Sequence, residues 1–448
     1  MKQSSAILWA VCLGYSMVIL DTSILNVALP SIAAESGASG VQQQWIIDAY
    51  VLVMTSLLLA GGGLIDRFGA KRVFNTGISI FALSSLACAL TNDASVLIIA
   101  RAIQGIGGAL LIPATLAIIV TFFTDAQERG KAIAIVATVT ASPQAFGPTL
   151  GGILVDTLGW RSIFLLNIPI AIVALFFGKR IPVGVAHKRS LDIPGVILIA
   201  LALGSVTYAI INFTDTWQLG TSSYIALGVF LASFIGFFIL ESKTERPLIP
   251  HIILKAPTVN LYVLCGTFMF ILFYGALFAA NLYFQKVLSI NALVSGLLLL
   301  PAGAPVFILP IIVSKVAKGK SPFTLTLTGT IISTVGASLA LLVLIVNSPL
   351  LIAISLLIVG IGFGIASPPH LNLVTSVAPE GTAGIISALA NAGRQAGYLL
   401  GVAAVGMAGI SLMGYTQASI VATIGGIVAI LMMLSASRIS VQPQQETT

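Results

Sequence analysis

Four charged side chains stand well inside otherwise apolar stretches. They are Asp21 in Ile7–Pro30, Asp48 in Trp45-Ile-Ile-Asp48-Ala-Tyr50, Arg101 in Arg101-Ala-Ile-Gln104-Gly105-Ile-Gly107-Gly108, and Arg394 in Asn391-Ala-Gly-Arg394-Gln395-Ala-Gly397-Tyr398. A charge at the centre of a hydrocarbon-spanning helix costs roughly 2.5–3.5 kcal/mol on insertion scales, so it faces a protein interior or water. A carboxyl group held there can take up and release a proton, and Asp21 is the first candidate for that work. The alternative for Asp21 is a bond to a neighbouring helix with no chemistry attached. Arg101 and Gln104 are three residues apart and share a helix face. At the helical rise, Arg101 sits about 10 Å from the outer end of its segment. It therefore calls for an acid, and Asp21 and Asp48 lie at similar depth; snorkelling to the interface is the alternative for Arg101 and Asp48.

The elements that must hold these groups follow from composition. Of 448 residues, 58% are hydrophobic and 8% are charged, against about 25% charged in soluble domains. Such a chain has no surface to show to water all round, which makes it a polytopic membrane protein. Fourteen segments are long enough to cross a bilayer: 7–30, 44–64, 73–91, 94–122, 131–155, 161–178, 192–212, 221–240, 258–282, 291–314, 322–346, 350–367, 382–408 and 412–436. Longer polar breaks bracket the seventh and eighth. The expected organisation is a six-helix bundle over 1–180, two intervening helices within 181–257 and a second six-helix bundle over 258–448. Of the 21 Lys and Arg residues, seventeen fall in segments on the side of the N-terminus. Arg161 and Lys286 fall on the other side, and Arg101 and Arg394 lie within spans. Basic residues concentrate in cytoplasmic loops, so both termini are expected in the cytoplasm. The +7 charge is accounted for in the same way and points to no nucleic acid. Cys12, Cys88 and Cys265 lie in separate apolar runs without metal-ligand spacing and read as small buried apolar residues.

Between the second and third segments the chain reads Gly63-Leu-Ile-Asp66-Arg67-Phe-Gly69-Ala-Lys71-Arg72, a tight turn with Asp66 expected near an Arg. A basic cluster, Lys315, Lys318 and Lys320, recurs at the matching place of the second half without the acid. The fifth segment carries Pro143-Gln144-Ala-Phe-Gly147-Pro148-Thr-Leu-Gly151-Gly152. Prolines and glycines at that density are tolerated in a membrane helix and predict a kinked segment that another helix approaches closely. Gly105 and Gly108 read the same way. In the second half no Asp or Glu occurs within a span. Asn391 and Arg394 share a face that Tyr398 extends by a turn; they either line a pocket or form a structural polar knot. The ninth segment is rich in aromatics, Tyr274 among them, most of them packing or interface residues.

These motifs resemble the major facilitator superfamily. Gly63–Arg72, Arg101–Gly108 and Gly147-Pro148-x-x-Gly151-Gly152 look like three of its signatures. Leu20-Asp21-Thr-Ser-Ile-Leu-Asn26-Val-Ala-Leu-Pro30 and Trp45–Asp48 are similar to the 14-helix drug:proton antiporters, the quaternary-ammonium and methylenomycin exporters. The resemblance covers nearly the whole chain. It implies an all-α polytopic fold of two six-helix bundles plus two extra helices, alternating access and proton exchange. It also implies coupling through Asp21 and Arg101, and a cytoplasmic latch formed by Asp66 with Arg67, Lys71 and Arg72. The second-half turn departs from the pattern by lacking its acid, and the acid that some relatives use for divalent cationic drugs is absent too.

The function expected is proton-coupled efflux of amphipathic drugs from the cell membrane, with protons, drug-like compounds and lipids as partners, no cofactor and no metal, by a monomer. Alternatives are export of one antibiotic or metabolite, an uptake symporter and a non-transporting sensor. No enzyme is expected, and the lack of a G-x-x-x-x-G-K-[ST] loop disfavours an ATP-driven pump. Asp21 is expected to carry the coupling proton with Arg101 setting its affinity, and Asp48 to tune the entry of cations. The substrate-binding set is Asp48, Asn26, Gln104, Gln144, Tyr274, Asn391 and Arg394.

Overall fold

In hydrocarbon a backbone has no water to bond, so each apolar stretch must satisfy its own peptide groups, and the helix does this within one segment. The computed structural model describes residues 3–182, 192–216, 218–244, 247–316, 320–346, 348–379, 382–405 and 411–441. Its helices are α1 (Gln3–Ser36), α2 (Gly40–Phe68), α3 (Ala70–Leu90), α4 (Ala94–Phe122), α5 (Ala126–Leu158), α6 (Arg161–Leu165), α7 (Asn167–Gly178), α8 (Ile193–Thr216) and α9 (Thr221–Lys243). They continue with α10 (His251–Leu254), α11 (Pro257–Leu282), α12 (Ala292–Val316), α13 (Pro322–Leu339), α14 (Pro349–Ser376), α15 (Ala383–Val405) and α16 (Leu412–Val441). Among the described residues, 11 helical stretches are long and apolar enough to cross a membrane. Each of the fourteen expected segments falls on helix over most of its described residues, α2, α5 and α15 being the three outside that set; 406–408 of the segment 382–408 lie outside the described residues.

Polar side chains close several helix ends. Ser39 and Gln42 form a reciprocal capping box at the start of α2. Asp125 accepts from the backbone N–H of Gln127 and Glu128 at 3.0 and 2.8 Å and so starts α5. Such a cap is worth about 1 kcal/mol.

Three segments differ from their expected form. Residues 161–178 are split at Leu166 into α6 and α7. The break puts Pro169 in the first turn of a new helix, where its missing N–H costs no hydrogen bond. The segment expected to stop at 367 continues to Ser376 with Pro368 and Pro369 inside α14. That extension carries His370 into the helix. The segment 322–346 ends in a 3-10 turn over Ala340–Leu344.

By contacts the chain divides into two units, Met1–Ser205 with Phe284–Leu300, and Val206–Tyr283 with Pro301–Thr448. In the first, α1 packs on α5 and α7, α2 on α4, and α3 on α4 and α7. In the second, α11 packs on α15 and α16, and α13 on α14. Only 22% of the apolar window of α8 and of α9 is buried, against 67% for the stretch that begins with α11. Those two helices therefore offer most of their side chains to lipid. Glu241 at the end of α9 is an exception. It is buried and accepts from the N–H of Leu248 and Ile249 at 3.1 and 3.3 Å, drawing the following linker back onto the helix.

Small residues set the tightest helix contacts, because dispersion between close backbones replaces the hydrophobic drive that lipid removes. A Cβ at Gly105 of α4 would lie 2.5 Å from the Tyr50 carbonyl oxygen of α2. A Cβ at Gly362 of α14 would lie 2.3 Å from the Ser333 nitrogen of α13. Gly362→Ala should cost about 1–3 kcal/mol through overpacking, and Gly362→Val more. The check is the melting temperature of the purified protein in detergent; an unchanged value would mean that α13 and α14 part without penalty.

Candidate functional site

The charged residues of the first unit meet at one buried cluster. Arg101 on α4 and Asp21 on α1 form an ion pair through Nη1 and Oδ2, with both side chains almost fully enclosed. Gln104, one turn along α4, accepts from the same Arg101 Nη1 at 2.6 Å and donates its Nε2 to Asp21 Oδ1 at 2.9 Å. Asn167, at the start of α7, donates to Asp21 Oδ1 at 3.0 Å and to Ser85 Oγ of α3 at 2.9 Å. Ser85 Oγ in turn donates to the Phe164 carbonyl at 3.1 Å. Arg101 Nε reaches the Ile46 carbonyl of α2 at 3.1 Å, and its guanidinium lies 4.3 Å from the Tyr50 ring centroid. Three helices, α2, α4 and α7, thus direct neutral donors and acceptors at one ion pair. A buried pair holds only when its remaining lone pairs and protons are satisfied in this way.

The shared face of Arg101 and Gln104 was legible in the sequence, which left Asp21 and Asp48 both open as the acid that Arg101 meets. Asn167 and Ser85 were not legible. A single Asn or Ser in an apolar run is common, and the only local signal was the Pro169 that restarts the helix at Asn167.

Asp48 lies apart from this cluster. It is fully buried on α2, and neither carboxylate oxygen meets a protein partner among the described residues. Asn26 is buried on α1, and Gln144 is half-buried on α5.

α5 seats against α1 through the glycine motif. A Cβ at Gly147 would fall 1.9 Å from Ser23 Oγ, and one at Gly151 would be 3.0 Å from the Ile24 carbonyl oxygen. Ser23 Oγ also donates to the Pro143 carbonyl at 2.9 Å. Gly152 admits the chain at Ala292, whose carbonyl oxygen would be 2.5 Å from a Cβ there, and Pro148 offers its carbonyl oxygen 2.4 Å from a Cβ at Gly296.

At the turn between α2 and α3, Gly63 lies within α2 and Gly69 joins the two helices with φ +81°, a conformation that favours glycine. Arg67 and Arg72 are exposed. Lys71 Nζ donates to the Lys179 carbonyl at the end of α7 at 2.8 Å, a favourable place for a cation at the negative pole of a helix. The Asp66 side chain lies outside the described residues, as do Lys318 and the side chain of Lys315.

In the second unit, Arg394 of α15 donates to the Ser367 carbonyl at 3.0 Å and lies 3.3 Å from His370 Nδ1. His370 Nε2 is 2.8 Å from the Tyr262 carbonyl, which can only accept. The imidazole is therefore the Nε2–H tautomer with its Nδ1 lone pair turned to Arg394. Phe270 lies 5.6 Å from the same guanidinium, and Tyr274 meets Tyr398 at 4.4 Å between ring centroids. Asn391, one turn before Arg394, is half-buried. The sequence reading missed His370, because its segment was expected to end at the preceding prolines.

Helices of membrane-spanning length that enclose a buried ion pair define a polytopic membrane protein. The chain belongs to the Major Facilitator Superfamily, whose sequence profile matches residues 11–402; it is a transporter and not an enzyme. It is 31% identical over 443 residues to the methylenomycin A resistance protein of Streptomyces coelicolor, with 98% of this chain and 93% of that protein covered. It is 32% identical over 389 residues to the riboflavin transporter RibZ of Clostridioides difficile, covering 85% and 83%. A solved POT family transporter in complex with 5-aminolevulinic acid has the same fold, with a TM-score of 0.72 at 14% identity over 97% of this chain and 96% of that one.

Removing one partner of a buried pair leaves an uncompensated charge and costs about 3–5 kcal/mol. Arg101→Ala should accordingly melt well below the wild type, and adding Asp21→Asn should restore part of the loss. Equal melting of Arg101→Ala and wild type would show that Asp21 is not held by Arg101.

Proposed function

We propose that the protein expels amphipathic, drug-like compounds across the cell membrane in exchange for protons, by alternating access. The observation that carries this reading is the buried Asp21–Arg101 pair, a titratable acid inside a membrane helix. Its kinship with a methylenomycin A resistance protein supports the direction and the class of cargo. The energetics suffice. One charge moving down 100 mV releases about 2.3 kcal/mol, and one pH unit adds about 1.4 kcal/mol. One proton per cycle can hold a gradient of the compound of more than tenfold.

In this reading fourteen helices cross the membrane, with both termini cytoplasmic. Six-helix bundles over 1–180 and 258–448 move about their substrate, two further helices over 181–257 lie between them in sequence, and the working form is a monomer. Asp21, Asp48 and Arg101 form the coupling set. In the first unit Asn26, Gln104 and Gln144 supply polar contacts to the compound, and in the second Tyr274, Asn391 and Arg394 do so. Gly147, Pro148, Gly151 and Gly152 form a moving helix contact. Gly63, Asp66, Arg67, Gly69, Lys71 and Arg72 act as the cytoplasmic latch.

Likeness to a riboflavin transporter favours a second reading, export of a single metabolite. Energised cells lacking their own exporters separate the two. With the protein present, ethidium and methylenomycin A should both accumulate several-fold less than without it, and a protonophore should abolish the difference. Movement of riboflavin alone would establish the single-cargo reading, and no movement of any of the three would remove both. Topology has its own check. Tags at Gly414 and at Gln444, the latter outside the described residues, should label from opposite sides of the membrane with Gln444 cytoplasmic. Labelling from one side would rule out fourteen spans in this arrangement.

A further inference from the structure

Arg394 stands at the midpoint of α15 (Ala383–Val405), about 16 Å along it from either end at the helical rise. It is half-buried. A guanidinium open to hydrocarbon at that depth is too costly, so its open part faces water or a polar ligand. The same partial exposure holds for Asn391 on α15, for Phe270 and Tyr274 of α11 and for Ser367 of α14. Three helices of the second unit thus share one accessible patch around a cation.

Close backbone contact holds the patch in place. A Cβ at Gly397 would lie 2.8 Å from Phe270 Cβ, and one at Gly393 would lie 3.0 Å from Thr267 Oγ1, so α15 seats directly on α11 at this level. Phe270 lies 5.6 Å from the guanidinium and is braced by Phe363 at 5.2 Å between ring centroids. His370 of α14 is a second brace. It is buried, and Gly266 of α11 leaves room for its ring, a Cβ there falling 3.0 Å from Nε2. The imidazole cannot turn without losing its 2.8 Å bond to the Tyr262 carbonyl. Its Nδ1 therefore keeps its place 3.3 Å from Arg394 Nη2, which also donates to the Ser367 carbonyl at 3.0 Å. Two acceptors on one nitrogen orient a planar, five-donor group.

The charges of this unit favour one sign of ligand. Helices α11–α16 contain no Asp or Glu, and Glu241 of α9 is bonded to the linker that follows it. A cationic compound finds no counter-charge on α11–α16. A carboxylate finds a guanidinium, which binds such a group through a fork of two N–H donors. The rings of Phe270 and Tyr274 beside the cation offer their faces to an aromatic body, and Asn391 adds an amide on the same helix face. We propose that Arg394 takes the carboxylate of an aromatic monoanion, with His370 as the positioning residue that aims the guanidinium. This rests on the export reading above and narrows the cargo that the second unit recognises.

Naphthoate and naphthamide, the same ring system carrying a charged or a neutral group, test the site by calorimetry on the purified full-length protein at neutral pH. The wild type should bind the acid about tenfold more tightly than the amide, the worth of a hydrogen bond to a charged group. Arg394→Gln should lose that preference. Arg394→Lys, which keeps the charge without the fork, should keep part of it. His370→Phe should lower the preference and leave the affinity for the amide unchanged, whereas loss of a merely structural residue would weaken both ligands alike. His370→Gln, which can still donate and accept, should restore the preference in part. Equal affinity of the wild type for acid and amide, binding of neither, or a preference that survives in Arg394→Gln overturns the proposal. A full preference in His370→Phe removes the positioning role. Calorimetry measures no transport, so failure of ethidium and methylenomycin A to move counts against the export reading and leaves this result standing.

Discussion

A guanidinium and a carboxylate cannot be left separately inside a hydrocarbon-embedded helix packing, and the first unit is arranged around keeping them together. The Asp21–Arg101 pair, which joins α1 to α4, is bonded by neutral groups from α2, α4 and α7, and one of those helices, α7, begins at the bonding residue Asn167. Each donor must come from a different direction to satisfy a planar guanidinium and the lone pairs of a carboxylate. The pair therefore fixes how four helices are rotated about their axes, as well as how close they lie. The glycines complete this arrangement. Gly105, one turn beyond Arg101, lets α4 lie against the Tyr50 carbonyl of α2, and Tyr50 is the ring beneath the guanidinium.

The second unit meets the same constraint by different means. Its helices from Pro257 onward contain no Asp or Glu. Arg394 is accommodated by a backbone carbonyl, the lone pair of a neutral imidazole and the face of Phe270. These partners are neutral, whereas Arg101 meets a carboxylate. His370 extends this economy, for its Nε2–H is spent on the Tyr262 carbonyl and only its Nδ1 remains to face Arg394.

Much of the fold was legible in the sequence because membrane insertion is a local property. Whether a stretch such as Ile7–Pro30 can leave water depends on its own side chains and length, and every expected segment falls on helix over most of its described residues. The close-approach roles of Gly105 and Gly151 were readable for the same reason, since a missing side chain limits contact wherever the neighbour is. The common face of Arg101 and Gln104 needed only helical periodicity. Proline behaviour was less legible. Pro169 broke a segment and Pro368–Pro369 did not, because the outcome depends on whether surrounding groups satisfy the backbone.

What the sequence by itself determined was the inventory: which helices exist, and that Asp21, Asp48, Arg101 and Arg394 must each find a partner or stay neutral. What only the tertiary structure decided was the pairing. Asp21 and Asp48 lie at similar depth and are equally acidic in type, and nothing local says which one Arg101 will meet. The rotation of α2 about its axis turned Tyr50 toward Arg101 and Asp48 away from it. That rotation is set by many side-chain contacts distributed over α1, α3 and α4, none of which is encoded in the residues flanking either acid. Asn167, Ser85 and His370 were silent in the sequence for the same reason. A neutral polar side chain acquires a function only from the group that packing brings within hydrogen-bonding distance.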